Sequence, residues 1–296
     1  MTNMINSSWQ RLAYVALLTL LAAGESALAQ QPADETAVIY RAAGGTFAGP
    51  DRLDAGFVTI TLQNDGDDGF ELTLYRLNEG AGIDAVLGAV EAIDTAYLHG
   101  GNPVEAINEA LELIVIVGQL RGEPGTSRSF GATLAAGSYL LIGSAEPLEG
   151  GALPPSSHQA VTVSEGEAQR LPPQADVTVT MLDFAFELPP RLSAGEQLWE
   201  VVNLGEQVHH LVLFKLREGK SMNDVMAFME TFEGEPPADE AGHVGVISPG
   251  GRNYVPFDLT PGDYFAICFL PDHRGEASGE PHVALGMIQA FTVAAD

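Results

Sequence analysis

The sequence predicts an all-β protein: two β-sandwich units in tandem, each interrupted by a short helical insertion. Three observations predict it. The chain repeats itself in blocks that recur in the same order, as a tandem duplication would. Short apolar runs with alternating character are bounded by turn residues at regular intervals. Glycine is abundant, 33 of 296 residues or about 11% against a usual ~7%, and 18 prolines accompany it, which suits many tight turns.

Residues 50–80 align without gaps onto 189–219. Identical pairs include Pro50/Pro189, Arg52/Arg191, Gly56/Gly195, Asn64/Asn203, Gly66/Gly205, Leu72/Leu211, Leu74/Leu213 and Gly80/Gly219. A second block places Pro124-Gly125, Leu134, Gly137 and Tyr139 on Pro249-Gly250, Leu259, Gly262 and Tyr264. A third places 159–163 on 289–293. The expected units are therefore 36–164 and 176–296, joined by a polar linker at 165–175 that contains Pro172-Pro173. In the second unit, strands are expected at 177–186, 197–202, 208–216, 254–259, 263–269 and 286–293.

The helical insertions are legible from caps and spacing. Ser221-x-x-Asp224 opens one, with Met222, Val225, Met226 and Met229 as a core-facing stripe rather than a metal-binding methionine cluster. The first unit has a longer insertion that reads as two helices. One covers 83–97; the other starts at Asn102-Pro103 and runs through Ile107, Leu111 and Ile114.

Residues 1–29 read as a secretory signal. Arg11 precedes an apolar run at 12–23, too short to span a bilayer, and Ala27-Leu28-Ala29 offers a cleavage site before Gln30. No cysteine follows the run, so a bacterial lipoprotein is excluded, and a periplasmic or secreted location is expected. Thirteen basic residues against forty acidic ones leave a formal charge of −27. Such a surface repels nucleic acid and anionic membrane faces; it suits a basic protein partner. The single cysteine, Cys268, forbids an intramolecular disulfide. In an exported chain a free thiol risks oxidation unless it is buried or ligates a metal.

Cys268 sits at the end of an expected strand, with His273, His282 and Met287 downstream and His209-His210 opening another strand. A thiolate, two imidazoles and a thioether form the donor set of a type 1 copper site, soft enough for Cu(I) and able to accept Cu(II). Residues 177–293 resemble the cupredoxin (plastocyanin/azurin-like) family. The resemblance rests on Asn203-x-Gly205-x-x-x-His209-His210-Leu211-Val212-Leu213-Phe214, on the run from Pro261-Gly262-Asp263-Tyr264 to Cys268, and on Pro281-His282-x-x-x-Gly286-Met287. It implies a Greek-key β-sandwich with one copper at one end, held by His209, Cys268, His282 and an axial Met287, and single-electron transfer.

Two positions have alternatives. His209 aligns with Phe70, on the strand face of Leu72 and Leu74, so it is expected to point inward and His210 outward. His282 is favoured over His273 because Pro281 and Gly286-Met287 frame it beside the last strand; His273 would then cover the metal or face solvent. The polar loop between them departs from well-known blue copper proteins. The first unit lacks the set: Phe70 and Glu71 replace the histidines, Gly143 the cysteine and Ser157 the methionine. His158, His99 and His243 read as surface or structural residues. Asp65, Asp67 and Asp68 read as a charged turn, with calcium as a weaker alternative.

Gly-x-Ser-x-Gly, His-Glu-x-x-His and phosphate-cradling glycine motifs are absent from the sequence. His-x-His pairs, which trinuclear copper clusters need, are absent as well. The expectation is a non-enzymatic electron carrier. A cupredoxin-fold scaffold, or a copper storage or delivery module, is the alternative.

Overall fold

The computed structural model describes residues 37–98, 101–145, 156–166, 170–275 and 278–295. The expected signal segment and His99 lie outside the described residues. In the first half, β1 (Ala37–Ala43), β2 (Thr46–Ala48), β3 (Arg52–Asp54), β4 (Gly56–Asn64) and β5 (Phe70–Leu77) precede helices α1 (Ile83–Leu98) and α2 (Val104–Leu113). Then come β6 (Ile114–Gly122), β7 (Ser127–Leu134), β8 (Gly137–Ala145) and β9 (Ser157–Ser164). The second half runs β10 (Val177–Leu182), β11 (Ala185–Glu187), β12 (Arg191–Ser193), β13 (Gly195–Asn203) and β14 (His209–Leu216). Helix α3 (Met222–Thr231) follows, then β15 (Ala238–Ile247), β16 (Arg252–Leu259), β17 (Gly262–Ile267) and β18 (Ile288–Ala294).

The fold is all-β, built as sandwiches. Two five-stranded sheets, β3-β9-β8-β5-β6 and β12-β18-β17-β14-β15, each face part of an eight-stranded sheet ordered β11-β10-β13-β16-β7-β4-β1-β2. The two halves thus share one sheet, joined where β16 meets β7 at Tyr254 and Gly131. A Cβ on Gly131 would lie 2.4 Å from the Phe57 ring, so only glycine admits this approach. One apolar core runs through both halves, with Tyr40, Leu72 and Phe130 on one side and Trp199, Phe257 and Tyr264 on the other.

The helices form an outer layer. Val225 and Met229 of α3 pack with Val212, Phe214, Phe265 and Ile267 on the far face of β14 and β17. Val86 of α1 and Ala110 of α2 do the same with Tyr75, Leu140 and Ile142. β14 is consequently buried on both faces. Met226, expected in the core stripe, is instead 49% exposed, because only one side of a two-and-a-half-turn helix meets the sheet. Ile114, expected as the end of a helix, begins β6: its backbone leaves the helix at φ −139°, ψ 157°. The strand expected at 177–186 is a hairpin, β10 and β11, turning at Asp183-Phe184.

Matching polar devices hold the two halves. Asn203 Nδ2 donates to the carbonyls of Gln207 and Ile247, both at 2.8 Å, while its Oδ1 accepts the Gly205 N–H at 3.0 Å. Asn64 makes the corresponding bonds to Asp68, Gly122 and Gly66. Tyr139 and Tyr264 each donate to the carbonyl four residues back, Ala135 and Thr260. Asn203 therefore ties the turn that delivers His209 to the end of β15. Asn203→Ala and Asn64→Ala should each lower unfolding free energy by about 3 kcal/mol, since buried backbone groups lose their partner. Urea denaturation of both variants checks this; a change under 1 kcal/mol in either would show that the network does not carry the turn.

Candidate metal centre

Three chain segments converge at one end of the second five-stranded sheet. His209 opens β14, Cys268 follows the last residue of β17, and His282 starts a 3-10 turn (His282–Leu285) leading into β18. β14 and β17 are antiparallel neighbours, as are β17 and β18, so the start of one strand lies beside the end of the next. One donor atom each from His209, Cys268 and His282 lies within 4.8 Å of the others, and all three residues are buried. His209 Nδ1 is 3.1 Å from His282 Nδ1, which in turn is 3.5 Å from Cys268 Sγ. Met287 is fully buried in the same core as Cys268. Its N–H donates to the His282 carbonyl at 2.9 Å and its carbonyl accepts the Cys268 N–H at 3.2 Å.

The β10–β11 turn controls both imidazoles, and sequence reasoning missed it. Asp183 Oδ1 lies 2.9 Å from His209 Nε2. The carboxylate also accepts the N–H groups of Glu206 and Gln207. Burial works to raise the Asp183 pKa, but these hydrogen bonds outweigh it and the net shift is downward. A carboxylate only accepts, so His209 Nε2 carries the proton and Nδ1 presents a free lone pair. Phe184, next in the turn, packs edge-on against the His282 ring at 5.3 Å between centroids. Phe184 has φ of 63°, and the corresponding turn of the first half is Gly44-Gly45, with φ of 58° and 78°. A bulky side chain in the left-handed region costs about 1–2 kcal/mol. A Gly-Gly turn in one copy and Asp-Phe in the other was the available signal.

His210 does not point to solvent. Its face assignment is right, but that face is covered, with Phe269 packed edge-on against the ring, so His210 is only 6% exposed. Nε2 of His210 accepts the Phe269 N–H at 2.9 Å. His273 does not face solvent. It is 5% exposed and hydrogen-bonded to Asn108 and Val208. The long loop containing it is pinched off: Pro271 and Pro281 form an isolated bridge, and Asp272 and Glu280 are linked by a backbone hydrogen bond of 2.7 Å. Cys268 and His282 are thereby brought together, and 272–280 becomes an excursion.

In the first half, the corresponding volume is filled by rings. A Cβ on Gly143 would lie 2.7 Å from Phe70 and 2.8 Å from Phe47, so Phe70 occupies the space that a side chain at 143 would need. His158 is exposed, as expected. His243 is 24% exposed and lies 3.2 Å from Glu240.

Burial keeps the donors neutral. It pushes the Cys268 thiol up to about 12 and, with the neighbouring His209, lowers His282 to about 3. Burial also lowers His209, against the opposing pull of Asp183. The same cause lowers His210 to about 3. The unfolded imidazole of His210 protonates near its ordinary value of ~6.5, whereas the buried ring resists until about 3. Between these values the unfolded chain binds more protons, so stability falls as pH falls, by up to about 1.4 kcal/mol per pH unit. His210→Gln, which keeps an acceptor for Phe269, should flatten the loss of urea stability between pH 6.5 and 5. An unchanged slope would show that His210 protonates freely in the fold.

No family model matches the chain, and no curated protein matches it. Among solved structures, dithionite-reduced auracyanin from the photosynthetic bacterium Roseiflexus castenholzii is 19% identical, covering 40% of this chain and 94% of its own, with a TM-score of 0.28. A multicopper oxidase is 13% identical over 87% of this chain and 88% of its own, with a TM-score of 0.23. A copper-containing nitrite reductase from Thermus scotoductus SA-01 is 11% identical over 88% of this chain and 61% of its own, with a TM-score of 0.21. Among the described residues, no helix is long and apolar enough to cross a membrane. The chain's own structure shows facing β-sheets with a buried His–Cys–His group at one end of the second half.

Proposed function

We propose that the chain is a duplicated cupredoxin whose second unit, 176–296, binds one copper and transfers single electrons, while the first, 36–164, is a copy without metal ligands. The observation that carries this reading is the convergence of His209, Cys268 and His282 in a buried group. Their donor chemistry fits copper: one thiolate sulfur and two imidazole nitrogens, with the Met287 thioether as the fourth donor. Copper bound there would alternate between Cu(I) and Cu(II), accepting and releasing one electron.

The residues would act by holding that group in a fixed frame. Asp183 sets the protonation of His209, and the Phe184 ring limits rotation of His282. The backbone bonds of Met287 to both His282 and Cys268 lock the loop. A frame that is rigid in both oxidation states keeps reorganisation small. The acidic surface, with its formal charge of −27, suits encounter with a basic redox protein in the periplasm or outside the cell. The role is that of a carrier rather than an enzyme. A second reading, copper storage or delivery, draws on the complete burial of His209, Cys268, His282 and Met287, each 0% exposed.

Copper(II) added to the metal-free protein should give an intense blue thiolate-to-copper absorption, lost in Cys268→Ser, and the band should bleach and return through reversible redox cycles. Tight uptake without reversible cycling would select storage; no sulfur-bound signature would overturn copper binding. Since the thiol stays protonated up to about 12 while the imidazoles are already neutral at pH 7, uptake should release one proton per copper. Titration in weak buffer with a pH indicator measures it; zero protons would show that Cys268 is not a ligand.

A further inference from the structure

The excursion between Cys268 and His282 is hydrogen-bonded to the other half of the molecule through the side chain of Asn108. Asn108, on α2 of the first half, lies 2.9 Å from His273 through Oδ1 and the ring Nδ1, and its Nδ2 donates to the His273 carbonyl at 2.9 Å. The same imidazole accepts the Val208 N–H through Nε2 at 3.2 Å. The His273 N–H donates to Gln207 Oε1 at 2.8 Å. These bonds fix the ring's protonation. An Nε2 that accepts a backbone N–H carries no proton, so Nδ1 carries it and donates to the Asn108 carbonyl oxygen. That orients the Asn108 amide, and its nitrogen then faces the one remaining acceptor, the His273 carbonyl.

We propose that Asn108, from the unit without metal ligands, is a positioning residue for the metal group of the other unit, acting through His273. The inference rests on the copper reading above. Two segments meet at the His273 ring. One is Gln207-Val208, which leads directly into His209; the other is the excursion whose ends carry Cys268 and His282. Clamping that ring from outside restrains both.

The clamp has a firm base. Helix α2 runs straight into β6, and β6 is bonded to the second half at Ile116, Val117 and Gln119. The Ile116 N–H donates to Ser248 Oγ at 2.9 Å, the Ser248 N–H to the Ile116 carbonyl at 3.1 Å, and Asn253 Nδ2 to the Val117 carbonyl at 2.9 Å. A Cβ on Gly245 would lie 2.5 Å from Gln119, so β6 and β15 approach as closely as glycine permits. Asn108 therefore sits on a helix whose C-terminal end is tied to the other half through β6. The second half has one helix, α3, where the first has α1 and α2; the additional helical segment supplies the clamp.

Asn108→Leu removes both hydrogen bonds at an exposed helix position that tolerates leucine. In the copper-loaded protein it should speed copper loss to a chelator about tenfold, in the range seen when outer-shell partners are removed. It should also move the reduction potential and the energy of the blue band. Without metal, the ring N–H resonance of 15N-labelled His273 should lose its protection from solvent exchange, while the urea midpoint stays near wild type. A double-mutant cycle assigns the route: in a His273→Ala background, Asn108→Leu should add nothing.

Wild-type potential, absorption and copper release in Asn108→Leu would overturn the proposal. So would an equal effect with and without His273. Should Asn108→Leu be unfolded, Asn108→Asp serves in its place, since it keeps the acceptor and loses the donor; a copper-release rate between those of wild type and His273→Ala supports the clamp, and wild-type release with an exchanging His273 N–H refutes it. If the wild-type protein takes up no copper, the functional reading fails; if it loads normally and the variants match it, only this inference fails.

Discussion

Placing a thiol and two imidazoles within 4.8 Å of one another, without solvent, leaves them little to bond with but each other. Any charge placed on one of them is opposed by burial, as the raised thiol and lowered imidazoles show. The group is thus held at a cost in free energy, and a cation among the facing nitrogens and sulfur is the species that would relieve it. Much of the architecture of the second half follows from keeping these donors in place against that cost.

Three independent supports serve it. The Asn203 network fixes the turn before His209. The Asp183-Phe184 turn fixes one imidazole by hydrogen bond and restricts the other by ring contact, in a conformation glycine adopts more cheaply. The Pro271–Pro281 bridge shortens a fourteen-residue separation between Cys268 and His282 into an immediate neighbourhood. The first half keeps the Asn64 network and the tyrosine corner, but has Gly44-Gly45 at the turn and an aromatic plug at Phe47 and Phe70. The common elements stabilise a sandwich; Asp183, Phe184 and the Pro271–Pro281 bridge serve the donors.

The halves are not beads on a linker. They share a sheet, a core and a glycine-lined contact between β6 and β15. The first half can thereby bond to a loop of the second, as Asn108 does at His273.

Most of the strand pattern (though not β15), the insertions and the residues His209, Cys268 and His282 were legible in the sequence because each depends on local information: alternation, caps, turn glycines and the spacing of rare side chains. The internal alignment of the sequence helped further, since Phe70 aligned with His209 showed which face points inward. What the sequence left open depends on layers that meet only in three dimensions. The place of His210 was decided by Phe269, which packs against its ring and donates its N–H to Nε2. That of His273 was decided by an asparagine 165 positions away. Asp183 became a partner of His209 only because a tight turn carries it across a 26-residue separation to the imidazole. Alternation along a strand names the two faces of a sheet, but whether the second face meets water, a helix or another half of the molecule is set by packing alone.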